Sequence, residues 1–325
     1  MRSIGVKMSK EGENRPVIVI PTNRSEQFNN WLNEWSTQLA GCHLIVIEDT
    51  KKKTIHKIFN ERLINMILTS RNQVDKFNFT YEIFDWTDID KDLGKDAWII
   101  PRRTDCIRSY GFLKALEHNP LFILTLDDDT KPFGNTIQDH YNILFNNLDT
   151  NIHYYNTMKN QLPRGNFINL WDVFEGVEIS HGIWVGTPDV DARTQLNGYI
   201  DTAGRSDFNQ GIIPKGSYYS MCGMNVAFKP SVTPYLYFGL QGQDYPIDRC
   251  GDIWAGYYVS QKGVLSATGY AVVYHDRASN AWSNLKKEQN ANELGGQFRE
   301  FFCNKEDEMN FQSLHIEDVT EKDYW

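Results

Sequence analysis

Apolar runs alternate with amphipathic stretches over the first 130 residues of the chain. Val17-Ile18-Val19-Ile20, Leu44-Ile45-Val46-Ile47 and Leu121-Phe122-Ile123-Leu124-Thr125-Leu126 are short and nearly unbroken. Such runs suit strands covered on both faces, as in a parallel sheet between helices. After the first run, Phe28, Trp31, Leu32, Trp35 and Leu39 recur at helical spacing, with Ser25 placed to cap that helix. Ile55, Ile58, Phe59, Leu63, Met66 and Ile67 mark a second helix after the second run. Residues 70–96 are polar, with a short strand expected at Tyr81-Glu82-Ile83-Phe84. Trp98-Ile99-Ile100 reads as another strand, and a helix is expected from about Asp105 to Glu117. This alternation predicts an α/β fold with a doubly wound sheet and helices on both faces.

The third run ends in Asp127-Asp128-Asp129. Open α/β sheets place ligands at the carboxyl ends of their strands. Adjacent carboxylates repel unless water, a basic group or a cation offsets them. Oxygen ligands of this kind suit Mg²⁺ or Mn²⁺, and those ions suit a diphosphate; the plainer reading is a polar turn after a strand. The glycine signatures of dinucleotide-binding and P-loop proteins are absent, as are zinc-type Cys/His spacing and the nucleophile elbow of hydrolases. From about Pro132 the chain is less periodic, with glycines set among aromatics as in Gly182-Ile183-Trp184-Val185-Gly186 and Asp252-Ile253-Trp254-Ala255-Gly256. Such glycines permit close backbone approach to a ligand, or simply make tight turns.

Composition narrows the partners. A net charge of −9 and a pI near 5.4 disfavour nucleic acid and anionic lipid, so an anionic substrate needs local basic groups or a metal. The 13% aromatic content, with 9 Trp and 16 Tyr, favours surfaces that grip flat polar ligands such as bases and sugars. The five widely spaced cysteines suit reduced thiols in a cytoplasmic protein. Residues 1–15 are polar, with no secretory apolar core, and read as poorly ordered. No run reaches the ~18 apolar residues of a membrane span.

Strings in order along the chain then resemble one family, the reversibly glycosylated polypeptides, which include plant UDP-arabinopyranose mutases. They are Ile20-Pro21-Thr22-Asn23-Arg24, Cys106-Ile107-Arg108-Ser109-Tyr110-Gly111-Phe112, Leu126-Asp127-Asp128-Asp129, Ser180-His181-Gly182-Ile183-Trp184 and Pro188-Asp189-Val190-Asp191-Ala192. Met221-Cys222-Gly223-Met224-Asn225-Val226-Ala227-Phe228 is the most specific; Asp252-Ile253-Trp254, His275 and Asn284-Leu285-Lys286-Lys287-Glu288 follow. The likeness runs from about Val17 to about Phe302. It implies a GT-A-type (nucleotide-diphospho-sugar transferase) fold, here one catalytic domain over 16–302. A nucleotide-binding half (16–131) would be followed by a sugar and acceptor half (132–302) and a polar tail (303–325).

The resemblance also implies roles. A divalent ion, Mn²⁺ or Mg²⁺, would be held by Asp129, Asp127 and His275. Thr22, Arg24, Glu48, Asp49, Asp127 and Asp128 would bind the nucleotide, and Arg108 would face the phosphates or sugar. Asp252 would sit near the sugar or an acceptor hydroxyl, or else cap a helix; Asp189 and Asp191 are weaker candidates of the same kind. Trp184 and Trp254 would stack on sugars, or pack in the core. Arg164 would carry the sugar, although Phe174 replaces the second arginine of the plant string around it, and Gly251 replaces the first acid of another. The expected activity is interconversion of pyranose and furanose forms of a UDP-sugar such as UDP-arabinose. A metal-dependent glycosyltransferase with a glycan or protein acceptor, and a non-catalytic UDP-sugar-binding subunit, are the alternatives. Homo- and hetero-oligomers are both compatible with these readings.

Overall fold

The computed structural model describes residues 14–51, 54–55, 57, 79–146, 176–187, 189, 191–197, 211–213, 219–242, 245, 249–277 and 280–288. Within them a single mixed sheet is built from β1 (Val17–Thr22), β2 (His43–Glu48), β3 (Thr80–Asp85), β4 (Ile123–Leu126), β5 (Thr130–Phe133), β6 (Ile179–Gly186), β7 (Gly211–Ile213), β8 (Asn225–Phe228) and β9 (Ser266–His275). The strand order is β3-β2-β1-β4-β8-β6-β9-β5, with β7 added on β9. β3, β2, β1 and β4 run parallel, whereas β8 is antiparallel to both β4 and β6. β8 thus inserts between two chain segments that precede it, so residues from both halves of the sequence share one sheet.

The helices are α1 (Ser25–Trp35), α2 (Trp86–Leu93), α3 (Ile107–Leu116), α4 (Thr136–Phe145), α5 (Ala192–Leu196), α6 (Gly251–Gln261) and α7 (281–288). Alternation along β1 assigns the faces. Ile18 and Ile20 pack with Phe28, Trp31 and Trp35 of α1 and Ile137 of α4. Val17 and Val19 pack with Ile107 and Tyr110 of α3 and Val259 of α6. Each such fully buried aliphatic side chain contributes about 1.5–3 kcal/mol. The expected doubly wound arrangement is therefore present, with strands where the apolar runs predicted them.

Two local expectations are corrected. Ser25 is the first residue of α1 and not its cap; Arg24 takes that position without a side-chain cap bond. Trp98-Ile99-Ile100 is not a strand: Gly94–Ile99 forms a 3₁₀ turn. Its carbonyls are taken by side chains, Tyr237 Oη donating to Ile99 O at 2.6 Å and Arg102 Nη1 donating to Ile100 O, which leaves no ladder to join. For Trp184 the core reading holds over sugar stacking, with the side chain 2% exposed. The helix expected around Ile58 to Ile67 lies outside the described residues.

The Ser180-His181-Gly182 and Asn225 strings turn out to be internal supports. Asn225 Nδ2 donates to Ile183 O (3.1 Å) and Ala271 O (2.9 Å), where the β6–β9 register slips after Gly182. A Cβ on Gly182 would lie 2.0 Å from that amide, so only glycine admits it. With its amide donating to those carbonyls, Asn225 Oδ1 accepts from His140 Nε2 (2.8 Å), and Nδ1 of the same ring accepts from Ser180 Oγ (2.7 Å). Burial lowers the His140 pKa to about 4, so the ring is neutral at physiological pH.

Candidate functional site

Parallel β1, β2 and β4 end together, and their carboxyl ends open on a cavity of about 390 Å³. Seven aspartates, five arginines and Lys287 line it. The acids are held at fixed positions by bonds to the second half of the chain. Asp127 N donates to Met224 O (3.2 Å), and Asp276 N donates to Asp129 O (2.9 Å). β5 and β9 pair Thr130 with His275, which brings the imidazole beside the acidic turn. Trp35 Nε1 donates to Thr130 O at 2.9 Å, fixing the turn from the α1 side.

The donor set fits a divalent cation. His275 Nε2 lies 3.9 Å from Asp129 Oδ1, and both side chains are under 10% exposed. His275 Nδ1 donates to Thr187 O at 2.7 Å, so in the neutral ring the Nε2 lone pair faces the carboxylate. A lone pair opposed to a carboxylate is repulsive without a proton or cation between them. Asp127 is one-third exposed toward the same space. These are the three residues expected to share an ion.

Arg108 departs from expectation. Its guanidinium is buried and all five donors are engaged. Nη1 donates to Gly223 O (2.6 Å) and Thr125 Oγ1 (3.2 Å), Nη2 to Asp127 Oδ1 (2.8 Å) and to Asp105, and Nε to Asp105 O (3.3 Å). No donor remains for a phosphate; Arg108 lines the cavity and holds the acids in position. Asp252 Oδ2 accepts from Gly223 N (2.9 Å) while Oδ1 accepts from Ile253 N (2.8 Å). Gly223 is thus clasped at its carbonyl by Arg108 and at its N–H by Asp252. The Asp252 carboxylate, at the start of α6, lines the cavity while serving as this support. Gly251 is forced by packing, since a Cβ there would meet Phe238 O at 2.1 Å.

The remaining expected residues divide. Asp128 is 3% exposed and spent on Thr22 Oγ1 (2.5 Å) and Arg24, whose Nε donates to Oδ2 at 3.2 Å. Thr22 and Arg24 line the cavity but act first on Asp128. Burial raises the Asp128 pKa, while Arg24 and Thr22 oppose that rise. Asp49 also lines the cavity; Trp86 Nε1 (2.6 Å) and Arg103 N (3.0 Å) donate to its Oδ1. Glu48 is a correction. It is 1% exposed and accepts from Thr54 N (2.7 Å) and Ile55 N (3.1 Å), turning away from the cavity to cap the next segment. Asp189 lines the cavity, 3.6 Å from Arg277, whereas exposed Asp191 does not. Arg164 lies outside the described residues.

Sequence reading missed Asp105, Arg103, Arg249 and Arg277, all of which line the cavity. Burial pushes the Asp105 carboxyl up, Arg108 pulls it down, and Asp252 and Asp127 push it up again. Arg103 follows a strand-like segment and Arg277 stands two residues past His275, signals that become readable only once those neighbours are placed. Among the described residues, no helix is long and apolar enough to cross a membrane.

Comparison with known proteins bears on this site. The family model for reversibly glycosylated polypeptide matches residues 12–319. UDP-arabinopyranose mutase 3 of Arabidopsis thaliana is 32% identical over 290 residues, 84% of this chain and 73% of its own. Probable UDP-arabinopyranose mutase 1 of Solanum tuberosum is 32% identical over 297 residues, with the same coverage of both chains. A solved glucosyl-3-phosphoglycerate synthase from Mycobacterium tuberculosis, in complex with Mn²⁺ and UDP, covers 90% of this chain and 81% of its own. Its TM-score is 0.44 and its identity 12%.

Proposed function

Because the chain belongs to the reversibly glycosylated polypeptide family, we propose that it is a UDP-sugar mutase interconverting the pyranose and furanose forms of UDP-arabinose or a close analogue. The observation that carries the reading is the pairing of Asp129 with His275 at 3.9 Å, facing a cavity that also holds Arg103, Arg249, Arg277 and Lys287. A UDP-sugar brings two negative charges on its diphosphate, and these basic side chains line the same cavity as the acidic turn. Asp129, Asp127 and His275 would hold a divalent ion, with Mn²⁺ favoured over Mg²⁺ because one ligand is an imidazole. Bound there, such an ion would supply positive charge to offset that of the diphosphate leaving group.

The chain's own residues would do the rest. Asp49 and the Thr22–Arg24 loop border the nucleotide side, while Arg103, Arg249, Arg277 and Lys287 would retain UDP after it has left. Retention is what distinguishes a mutase from a hydrolase: the sugar must change ring form and return to the same phosphate. Asp252 would set the floor beneath the sugar through Gly223. Its two backbone bonds suit a fixed wall better than a base that must exchange protons, which favours isomerisation over transfer to an acceptor. Residues 16–302 would act as one catalytic unit, and the free thiols of Cys42, Cys106, Cys222 and Cys250 suit a reducing, cytoplasmic setting.

Incubating the pure protein with UDP-arabinopyranose and Mn²⁺, then resolving the products, tests the reading. A furanose nucleotide sugar is expected. Free UDP with a glycosylated acceptor would make the chain a transferase, and unchanged substrate would make it a binding protein.

Arg164 gives a separate prediction. Its guanidinium stays protonated and is a poor nucleophile unless UDP departs first and leaves an electrophilic sugar. Intact-protein mass spectrometry after incubation with UDP-arabinose should show one added pentose, lost on excess UDP and absent from Arg164→Ala. Isomerisation without any adduct would remove Arg164 as carrier and require a different intermediate.

A further inference from the structure

A second group of metal-type ligands lies at the opposite end of the sheet. His43 is the first residue of β2, Glu82 is the third of β3, and His118 follows the last turn of α3. The far end of β2 faces the cavity side, ~17 Å away at ordinary strand rise. His118 Nε2 is 3.1 Å from Glu82 Oε2, and His43 Nε2 is 3.9 Å from the same oxygen. The two imidazole ring centroids lie 3.9 Å apart with the rings tilted by 34°, and one ligand atom from each of the three residues falls within 4.8 Å of the others.

The decisive feature is His43. It is 3% exposed, and its Nε2 has no hydrogen-bond partner. Nδ1 is engaged with Thr80 Oγ1 at 2.6 Å, and a hydroxyl can serve either tautomer. In both tautomers Nε2 remains buried and unmatched, pointing at a carboxylate too distant to bond. Buried polar atoms of this kind require an explanation. With Nδ1–H donating to Thr80, the Nε2 lone pair faces Glu82, which is the outer-sphere arrangement that orients a ligating imidazole.

From this geometry we infer that His43, Glu82 and His118 form a binding site for a transition-metal cation of the Zn²⁺ class. Two imidazoles and a carboxylate are a known zinc donor set, with a fourth position left to water. Glu82 is 41% and His118 21% exposed, so the cation enters from the solvent side and meets His43 at the dry end. Arg15 stands near enough to His43 to oppose a cation, and the Glu82 carboxylate offsets it. Bound metal would tie β2, β3 and the α3–β4 connection together far from the cavity.

Zn²⁺ titration against a chromophoric chelator, on the full chain without a tag, tests it. In an Asp129→Asn, His275→Gln background, which disables the cavity's donors, one equivalent should still bind. Adding His118→Gln or Glu82→Gln should weaken that binding by at least ~100-fold, the upper end of the effect of losing a mere outer-sphere partner. Both positions are solvent-accessible, so neither change should unfold the chain. As a second measurement, His118→Gln alone should lower the stoichiometry of the otherwise native chain by one equivalent and leave UDP-sugar turnover unchanged. No equivalent retained in the double-variant background, or retention that survives loss of both His118 and Glu82, overturns the site.

Discussion

Asp129→Asn should lower kcat/KM for the UDP-sugar by about 1,000-fold while the protein remains folded. The side chain keeps its shape but loses the charge that, 3.9 Å from His275 Nε2, would hold the proposed cation. A bound metal supplies several kcal/mol of stabilisation to a departing phosphate. Losing about 4 kcal/mol corresponds to roughly three decades in rate at 1.36 kcal/mol per decade. Stability should change little, because the fold uses the Asp129 carbonyl, which accepts from Asp276 N whatever the side chain. Calorimetric Mn²⁺ affinity in the presence of UDP should fall in parallel with activity. Turnover within tenfold of the native chain and an unchanged Mn²⁺ affinity would remove the acidic turn as the metal site.

Arg108→Met should have the largest effect on stability, a loss of about 2–3 kcal/mol: Arg108 is buried, but Asp105 and Asp127 are 27% and 33% exposed, so water offsets part of what a fully buried pair would cost. Methionine fills much of the volume. It leaves Asp105 and Asp127 facing each other without their cation, and it strips a donor from Gly223 O and Thr125 Oγ1. Urea unfolding should show a lower midpoint with an unchanged slope. Adding Asp105→Asn should recover part of the loss, since one of the uncompensated charges disappears.

The pH dependence of that loss has a definite sign. Burial already raises the Asp105 pKa in the folded protein, against the pull of Arg108. A carboxyl with a raised folded pKa binds its proton more tightly folded than unfolded. It therefore destabilises the fold increasingly as pH climbs from the ordinary carboxylate range through the folded value. Removing Arg108 lifts that folded value further. The deficit of Arg108→Met relative to the native chain should accordingly be greatest at neutral pH and shrink toward mildly acidic pH, as Asp105 takes up its proton. A deficit independent of pH would mean that lost packing, and not the Asp105 charge, sets the cost.

Much of the architecture was legible because it depends on local pattern. Unbroken apolar runs can satisfy their burial only between two layers of helices, so β1, β2 and β4 appeared where Val17–Ile20, Leu44–Ile47 and Leu121–Leu126 placed them. Three consecutive acids at a strand end are equally local, as is a histidine closing an apolar strand, and the structure brings Asp129 and His275 together. What the pattern could not carry was the partner of each polar group. Arg108 reads as a free cation on a helix until Gly223, Thr125, Asp105 and Asp127 fold around it and consume all five donors. Glu48 reads as a ligand at a strand end until Thr54 N and Ile55 N claim it. Trp98-Ile99-Ile100 has strand-like residues but pairs with no strand among the described residues and closes a 3₁₀ turn instead. His43, Glu82 and His118 are 75 residues apart from first to last, and only the β2–β3 register and the end of α3 make them neighbours. Hydrophobic periodicity is a property of adjacent residues and survives in the sequence alone. Hydrogen-bond and charge satisfaction is a property of distant ones, and only the tertiary structure decides it.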